Sequence, residues 1–183
     1  MATKLPMNVT PVGTAAWPWL NTPDTGYEED GVYQVKMIFN KKDVKEIQAI
    51  VDPLMAGGKH NPVKPELDDQ DKPTGNFIIN FKLKAKGKTK SGGSYPQKPI
   101  IRDSANNRVL NKVGAGSKLR IAYNAVPFNQ GAGGVTMRLK EVKIIELVEY
   151  VKKDEVDWGK DEGSFVGTTA EDSNENEEDN EDF

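Results

Sequence analysis

The stretch NFIINFKLKAK, Asn76 to Lys86, alternates without a break. Phe77, Ile79, Phe81, Leu83 and Ala85 fall on one side of an extended chain, and Ile78, Asn80, Lys82, Lys84 and Lys86 on the other. Period-two alternation marks a strand with one face buried and one face wet. Upstream, Gly31 to Phe39 (GVYQVKMIF) repeats the pattern, with Tyr33, Val35, Met37 and Phe39 against Gln34 and Lys36. Downstream, Ile100 and Ile101 mark a short strand. Ser117 to Ala125 then sets Leu119, Ile121 and Tyr123 against Lys118, Arg120 and Asn124. Val135 to Tyr150 (VTMRLKEVKIIELVEY) supplies one long strand or two, because the run Val135, Met137, Leu139 slips near Glu141 as a bulge requires.

One helix interrupts the strands. Asn40 is a suitable N-cap, Asp43 sits in the first turn, and Val44, Ile47, Val51 and Leu54 recur at helical spacing. Pro53 is expected to end or kink it, and Gly57-Gly58 to terminate it. Residues 59–75, with three prolines and the DDQD run, read as an exposed loop. Strands that keep one basic face wet must bury the other, and five or six of them with one helix predict an all-β, closed or partly open small barrel.

Charge divides the chain more sharply than hydropathy does. The 183 residues carry a formal net charge of −3, yet Asp154 to Phe183 holds thirteen acids against Lys160, leaving +9 on the rest. Residues 1–153 therefore read as a basic domain and 154–183 as an acidic tail. The final EDSNENEEDNEDF is too polar and too uniformly charged to offset the entropy of ordering, so disorder is expected there. Phe183 closes that run and is a candidate docking handle, with Asp179, Glu181 and Asp182 as its acidic neighbours. Charge asymmetry of this kind points to nucleic-acid contact joined to an interaction tail.

Much chemistry is excluded. There is no cysteine and a single histidine, His60, which removes disulfides, thiol nucleophiles, multi-histidine metal sites and a Ser-His-Asp triad. A phosphate-cradling loop around Gly87-Lys88-Thr89 would need glycine at position 82, where Lys82 stands. Asp68, Asp69 and Asp71 are either a solvated loop or a weak divalent site. No cofactor and no enzymatic activity are expected. No apolar run approaches the roughly 18–20 residues of a membrane span, and MATKLPMNVT lacks the apolar core of a secretory signal, so a soluble intracellular protein is expected.

Binding chemistry is what remains. Lys82, Lys84, Lys86, Lys88 and Lys90 recur at period two, about 6.6 Å apart on one face of a strand. Lysines on an edge strand also protect against aggregation. Here, however, no acid interrupts the row, and Arg102, Arg108, Lys112, Lys118 and Arg120 follow it, whereas a surface shaped for solubility mixes both signs. Phe77, Phe81 and Tyr123 belong to the apolar face by alternation. Tyr95, in the loop GKTKSGGSYP, and Phe128, after Pro127, are placed on that face by no pattern and are candidates for base stacking, worth about 1–3 kcal/mol per base. The candidate nucleic-acid-binding set is Lys82, Lys84, Lys86, Tyr95, Arg102, Lys118, Arg120 and Phe128. Other readings stay open: an acidic-tailed chaperone or adaptor whose lysines only solubilise, or an RNA-binding barrel.

The run GSKLRIAYNAVPFNQGAGGVTMRLKEVKIIELVEY, Gly116 to Tyr150, resembles the corresponding segment of the T-seven-type phage single-stranded DNA-binding proteins. Further echoes are Trp17 and Trp19 followed by Leu20 and Pro23-Asp24, the GVYQV strand, Asp103-Ser104, and a tail with Asp157-Trp158 and a terminal Asp182-Phe183. The resemblance departs at Ala122 and Gln130, where the family type has lysine and tryptophan. It implies an OB-fold, a five-stranded partly open barrel, that binds single-stranded DNA in phage replication and recombination and promotes strand annealing in the host cytoplasm. It implies DNA contacts at Phe128, Arg120 and Lys118. It also implies that Phe183 and the acidic run contact the replicative DNA polymerase and helicase-primase and occupy the DNA groove when DNA is absent. A homodimer is a further implied possibility.

Overall fold

A computed structural model describes residues 5–150. The proposed boundary near residue 153, and every expectation placed on Trp158, Asp179, Glu181, Asp182 and Phe183, lie outside the described residues. In chain order the elements are β1 (Asn8–Val9), β2 (Gly13–Asp24), β3 (Val32–Phe39), α1 (Val44–Met55), β4 (Lys64–Leu67), β5 (Pro73–Lys84), β6 (Lys86–Lys88), β7 (Ser94–Pro96), β8 (Ile100–Arg102), β9 (Lys118–Phe128) and β10 (Gly134–Glu146).

Five of these strands close a ring. β9 pairs with β2, β2 with β3, β3 with β5, β5 with β10, and β10 returns to β9. Two seams are long: β3 runs antiparallel to β5 from Val32↔Lys84 to Phe39↔Phe77, and β10 follows β9 along its whole length. Two are short: Gly13–Thr14 against Leu119–Lys118, and a parallel contact of Met137–Arg138 with Phe81–Lys82. The barrel is thus the expected OB-fold. β4 lengthens the sheet beside β5, and β8 pairs in parallel with the second half of β10.

The alternating residues fill the barrel. Tyr33, Val35, Met37 and Phe39 on β3, Ile79, Phe81 and Leu83 on β5, Leu119, Ile121 and Tyr123 on β9, and Val135, Met137, Leu139 and Val142 on β10 are all buried. Phe81 and Tyr123 meet edge to face with centroids 5.2 Å apart, a favoured aromatic geometry. The bulge near Glu141 is present: β10 slips register between Leu139 and Glu141, so that Val142 and Ile144 turn inward again. α1 places Val44, Ile47 and Val51 on this core.

Local expectations fail in four places. Asn40 does not directly cap α1: its Oδ1 accepts from the Lys42 and Asp43 amides at 2.9 and 2.8 Å, closing the turn before the helix. Pro53 neither ends nor breaks the helix, which continues to Met55 and stops at Ala56 and Gly57, both at positive φ. Residues 59–75 are not merely a loop, since Lys64–Leu67 pairs with β5 and Asp68 builds the turn by accepting from the Gln70 and Lys72 amides. The longest omission is β2, where Pro18, Pro23 and Trp17 at φ 49° hide a strand with two register shifts against β3.

Candidate functional site

Inward packing of alternate residues forces their neighbours outward, and the outer face of β3, β5 and β10 gathers the basic ones. Lys82 stands in register with Gln34 on one side and Arg138 on the other, and Arg138 is opposite Asn124 on β9. Above this row lies an open groove of about 700 Å³, bordered by Lys82, Lys84, Lys86, Lys88, Arg138 and Lys140. Two acids, Asp24 and Glu28, share that border. Excess positive charge in a concave surface raises the local concentration of a polyanion.

Two loops wall the groove. The turn between β2 and β3 presents Tyr27, which is 99% exposed. Opposite it in composition is the β6–β7 hairpin, in which Tyr95 pairs with Gly87. A side chain on Gly87 would collide with Tyr95, its Cβ lying 2.7 Å from Oη, so the absence of one lets the Tyr95 ring lie against the backbone. Tyr95 is nonetheless 47% exposed, an aromatic surface held in place and open to solvent.

The lysine row is not as free of acids as its sequence suggests. Glu28 pairs with Lys84 at 3.3 Å, and Asp30 pairs with Lys86. Both acids arrive from the β2–β3 turn, some fifty residues away in the chain. Lys82, Lys88, Arg138 and Lys140 have no ion-pair partner among the described residues. Asp24 is tied down by the Gly26 amide at 2.9 Å and the Gln34 side-chain amide at 2.8 Å.

The other candidate residues lie elsewhere on the barrel. Arg102 and Arg120 border a second depression of about 380 Å³ with Glu141 and Lys143. Arg102 Nε donates to Glu141 at 2.8 Å, and Arg120 Nε donates to the Thr10 carbonyl at 2.9 Å. Lys118 donates to the Thr14 hydroxyl at 2.6 Å. Phe128 is on β9 rather than in a loop, points outward by alternation, and stacks on His60 with centroids 6.0 Å apart. So Lys82, Lys84, Lys86 and Tyr95 come together, Arg102 and Arg120 form a second group, and Lys118 and Phe128 sit near opposite ends of β9.

Arg138, Lys140, Lys143 and Tyr27 were absent from the candidate set. The first two carry a readable signal: they alternate with Val135, Met137 and Leu139 just as Lys82 and Lys84 alternate with Phe81 and Leu83. Among the described residues no group of three His, Asp or Glu could hold a metal ion, and Asp68 and Asp71 belong to a turn. No helix among those residues is long and apolar enough to cross a membrane.

No protein-family model matches the chain. The single-stranded DNA-binding protein of Enterobacteria phage T3 is 27% identical over 207 residues, spanning 93% of this chain and 88% of that one. Among solved structures, gp2.5, a single-stranded DNA-binding protein encoded by bacteriophage T7, superposes with a TM-score of 0.64 at 21% identity, covering 90% of this chain and all of that one. The single-stranded DNA-binding protein of bacteriophage Enc34, in complex with single-stranded DNA, gives a TM-score of 0.56 at 14% identity over 78% of this chain. The structural likenesses establish the fold.

Proposed function

The chain resembles the T-seven-type phage single-stranded DNA-binding proteins in sequence and in fold, and from that premise we propose that it binds single-stranded DNA in the groove between the β2–β3 turn and the β6–β7 hairpin. The observation that carries this reading is the groove itself, with six bases against two acids and two exposed tyrosines on its walls. Lysines and arginines at spacings of a few ångströms neutralise successive phosphates, and aromatic surfaces stack bases without asking which base it is. Binding is therefore sequence-tolerant. Arg138 and Lys140 complete the set begun by Lys82, Lys84, Lys86 and Tyr95. The reading assigns no catalysed reaction and needs no cofactor.

The finer role follows the family. The protein coats single strands in phage replication and recombination in the host cytoplasm and promotes their annealing. Residues 154–183, with thirteen acids against one base, are a polyanion attached to a polyanion-binding domain. They compete with DNA for the groove, and Phe183 with Asp179, Glu181 and Asp182 docks replication proteins such as the polymerase and helicase-primase. Titration of fluorescent oligo-dT at two salt concentrations tests both statements. Affinity is expected to fall with salt at a log-log slope of about −0.7 per phosphate contacted, and deleting residues 154–183 is expected to tighten binding. Salt-independent binding would remove the groove from the mechanism, and unchanged affinity after the deletion would remove the tail.

A further inference from the structure

Strand β10 is shared by both basic depressions. Its outward residues Arg138 and Lys140 border the groove, and Lys143 borders the depression that holds Arg102 and Arg120. The register shift between Leu139 and Glu141 falls between the two. It is also where β10 changes neighbour, from β5 at Met137–Arg138 to β8 at Glu141–Lys143. A bulge re-aims side chains, and this one leaves Lys140 at the junction. From Arg138 to Lys143 is about 16 Å along an extended strand, a gap that a few nucleotides of a flexible strand cross.

Acids do not block the way. Glu141 is held by Arg102 Nε at 2.8 Å. The guanidinium of Arg102 is further fixed by its Nη1, which donates to the Asn106 carbonyl at 3.2 Å. Arginines pinned on one side keep their remaining N–H groups in fixed directions, the arrangement suited to phosphate oxygens. The neighbouring strand β9 offers no such route, because Asn124 in its middle is buried and donates to the Pro6 carbonyl at 2.7 Å, under the N-terminal segment.

We propose that a single strand seated in the groove continues along β10, over Lys140, into the Arg102–Arg120–Lys143 depression, so that the two sites form one phosphodiester track. The proposal rests on reading the groove as a single-stranded DNA site. Its signature is a dependence on strand length. Fluorescence anisotropy with oligo-dT probes of about 5 and about 15 nucleotides, lengths within the range of one such barrel, separates the two ideas.

The full-length protein is expected to bind the longer probe with a steeper salt slope. Lys143→Ala is expected to lower the long-to-short affinity ratio about fivefold and the long-probe salt slope by about 0.7, the loss of one phosphate contact. Lys140→Ala is expected to weaken both probes. Short-probe binding by Lys143→Ala also reports that its barrel has folded, and far-UV circular dichroism reports the same for Lys140→Ala. If the wild type binds neither probe, the groove reading and the track fall together. If it binds the short probe but Lys143→Ala leaves the ratio unchanged, the groove stands and the track is overturned.

Discussion

The two basic depressions of this barrel use the same charge in different ways. In the groove on β5 and β10, Lys82, Lys88, Arg138 and Lys140 stand without ion pairs among the described residues, while Lys84 and Lys86 are countered from the β2–β3 turn. In the second depression both arginines are already engaged, Arg102 by Glu141 and Arg120 by the Thr10 carbonyl. The first is a dense field of mobile point charges with aromatic walls. The second is a sparse, rigid fork. On the proposed reading, a strand entering the groove gains counterion release at once, whereas the second depression adds direction more than strength. The difference teaches that the number of basic residues on a surface says little about how each contributes.

Removing the mobile charges should have the largest effect. Lys82→Ala with Arg138→Ala, two exposed outward positions, is expected to weaken oligo-dT binding more than tenfold and to reduce the salt slope by about 1.4 for two phosphate contacts. Equal losses from Arg102→Ala with Arg120→Ala would erase the distinction between the sites. Next comes the aromatic wall. Tyr95→Ala should cost about 1–3 kcal/mol for one unstacked base. Gly87→Ala should reproduce part of that loss with Tyr95 itself unchanged, because the new methyl displaces the ring. A neutral Gly87→Ala, measured by the same titration, would mean that the ring's placement does not matter.

How much of this could be read in advance varied with how local the cause was. Burial of Phe81, Leu83, Ile121 and Leu139 followed directly from alternation, and so did the slip at Glu141. β2 did not, because Pro18 and Pro23 argue against a strand, yet past Thr14 it pairs with β3 alone, and a bulged stretch paired on one side tolerates both. Pro53 lies in the last turn of α1, where its helix is anchored by Val44, Ile47 and Val51, and packing outweighed the lost hydrogen bond. The partnership of Glu28 with Lys84 was invisible because it is set by the closing of the barrel, not by sequence distance. Arg138 and Lys140 were legible in the alternation but lay in a segment valued for its apolar half.

The smallest expected effect lies beneath both sites. Burial raises the Tyr123 hydroxyl to about 12, and its oxygen has no hydrogen-bond partner among the described residues. Since the folded value exceeds the ordinary one of about 10, the stability it contributes is complete below pH 10 and is lost as pH rises toward 12. Tyr123→Phe should leave oligo-dT binding by groove and depression unchanged. It should also remove that alkaline loss, about 1 kcal/mol between pH 9 and pH 11, as followed by denaturant unfolding at the two pH values. An unchanged pH dependence in the variant would show that the hydroxyl finds a partner.

Photo-crosslinking reads the position of the DNA without relying on substitutions. With oligonucleotides carrying iodouracil and peptides identified by mass spectrometry, crosslinks are expected at Tyr95 and Tyr27, the two exposed tyrosines bordering the groove. Crosslinks confined to Trp17 and Trp19, which are exposed on β2 and border no part of the groove, would place the strand elsewhere on the barrel and contradict the assignment of the groove.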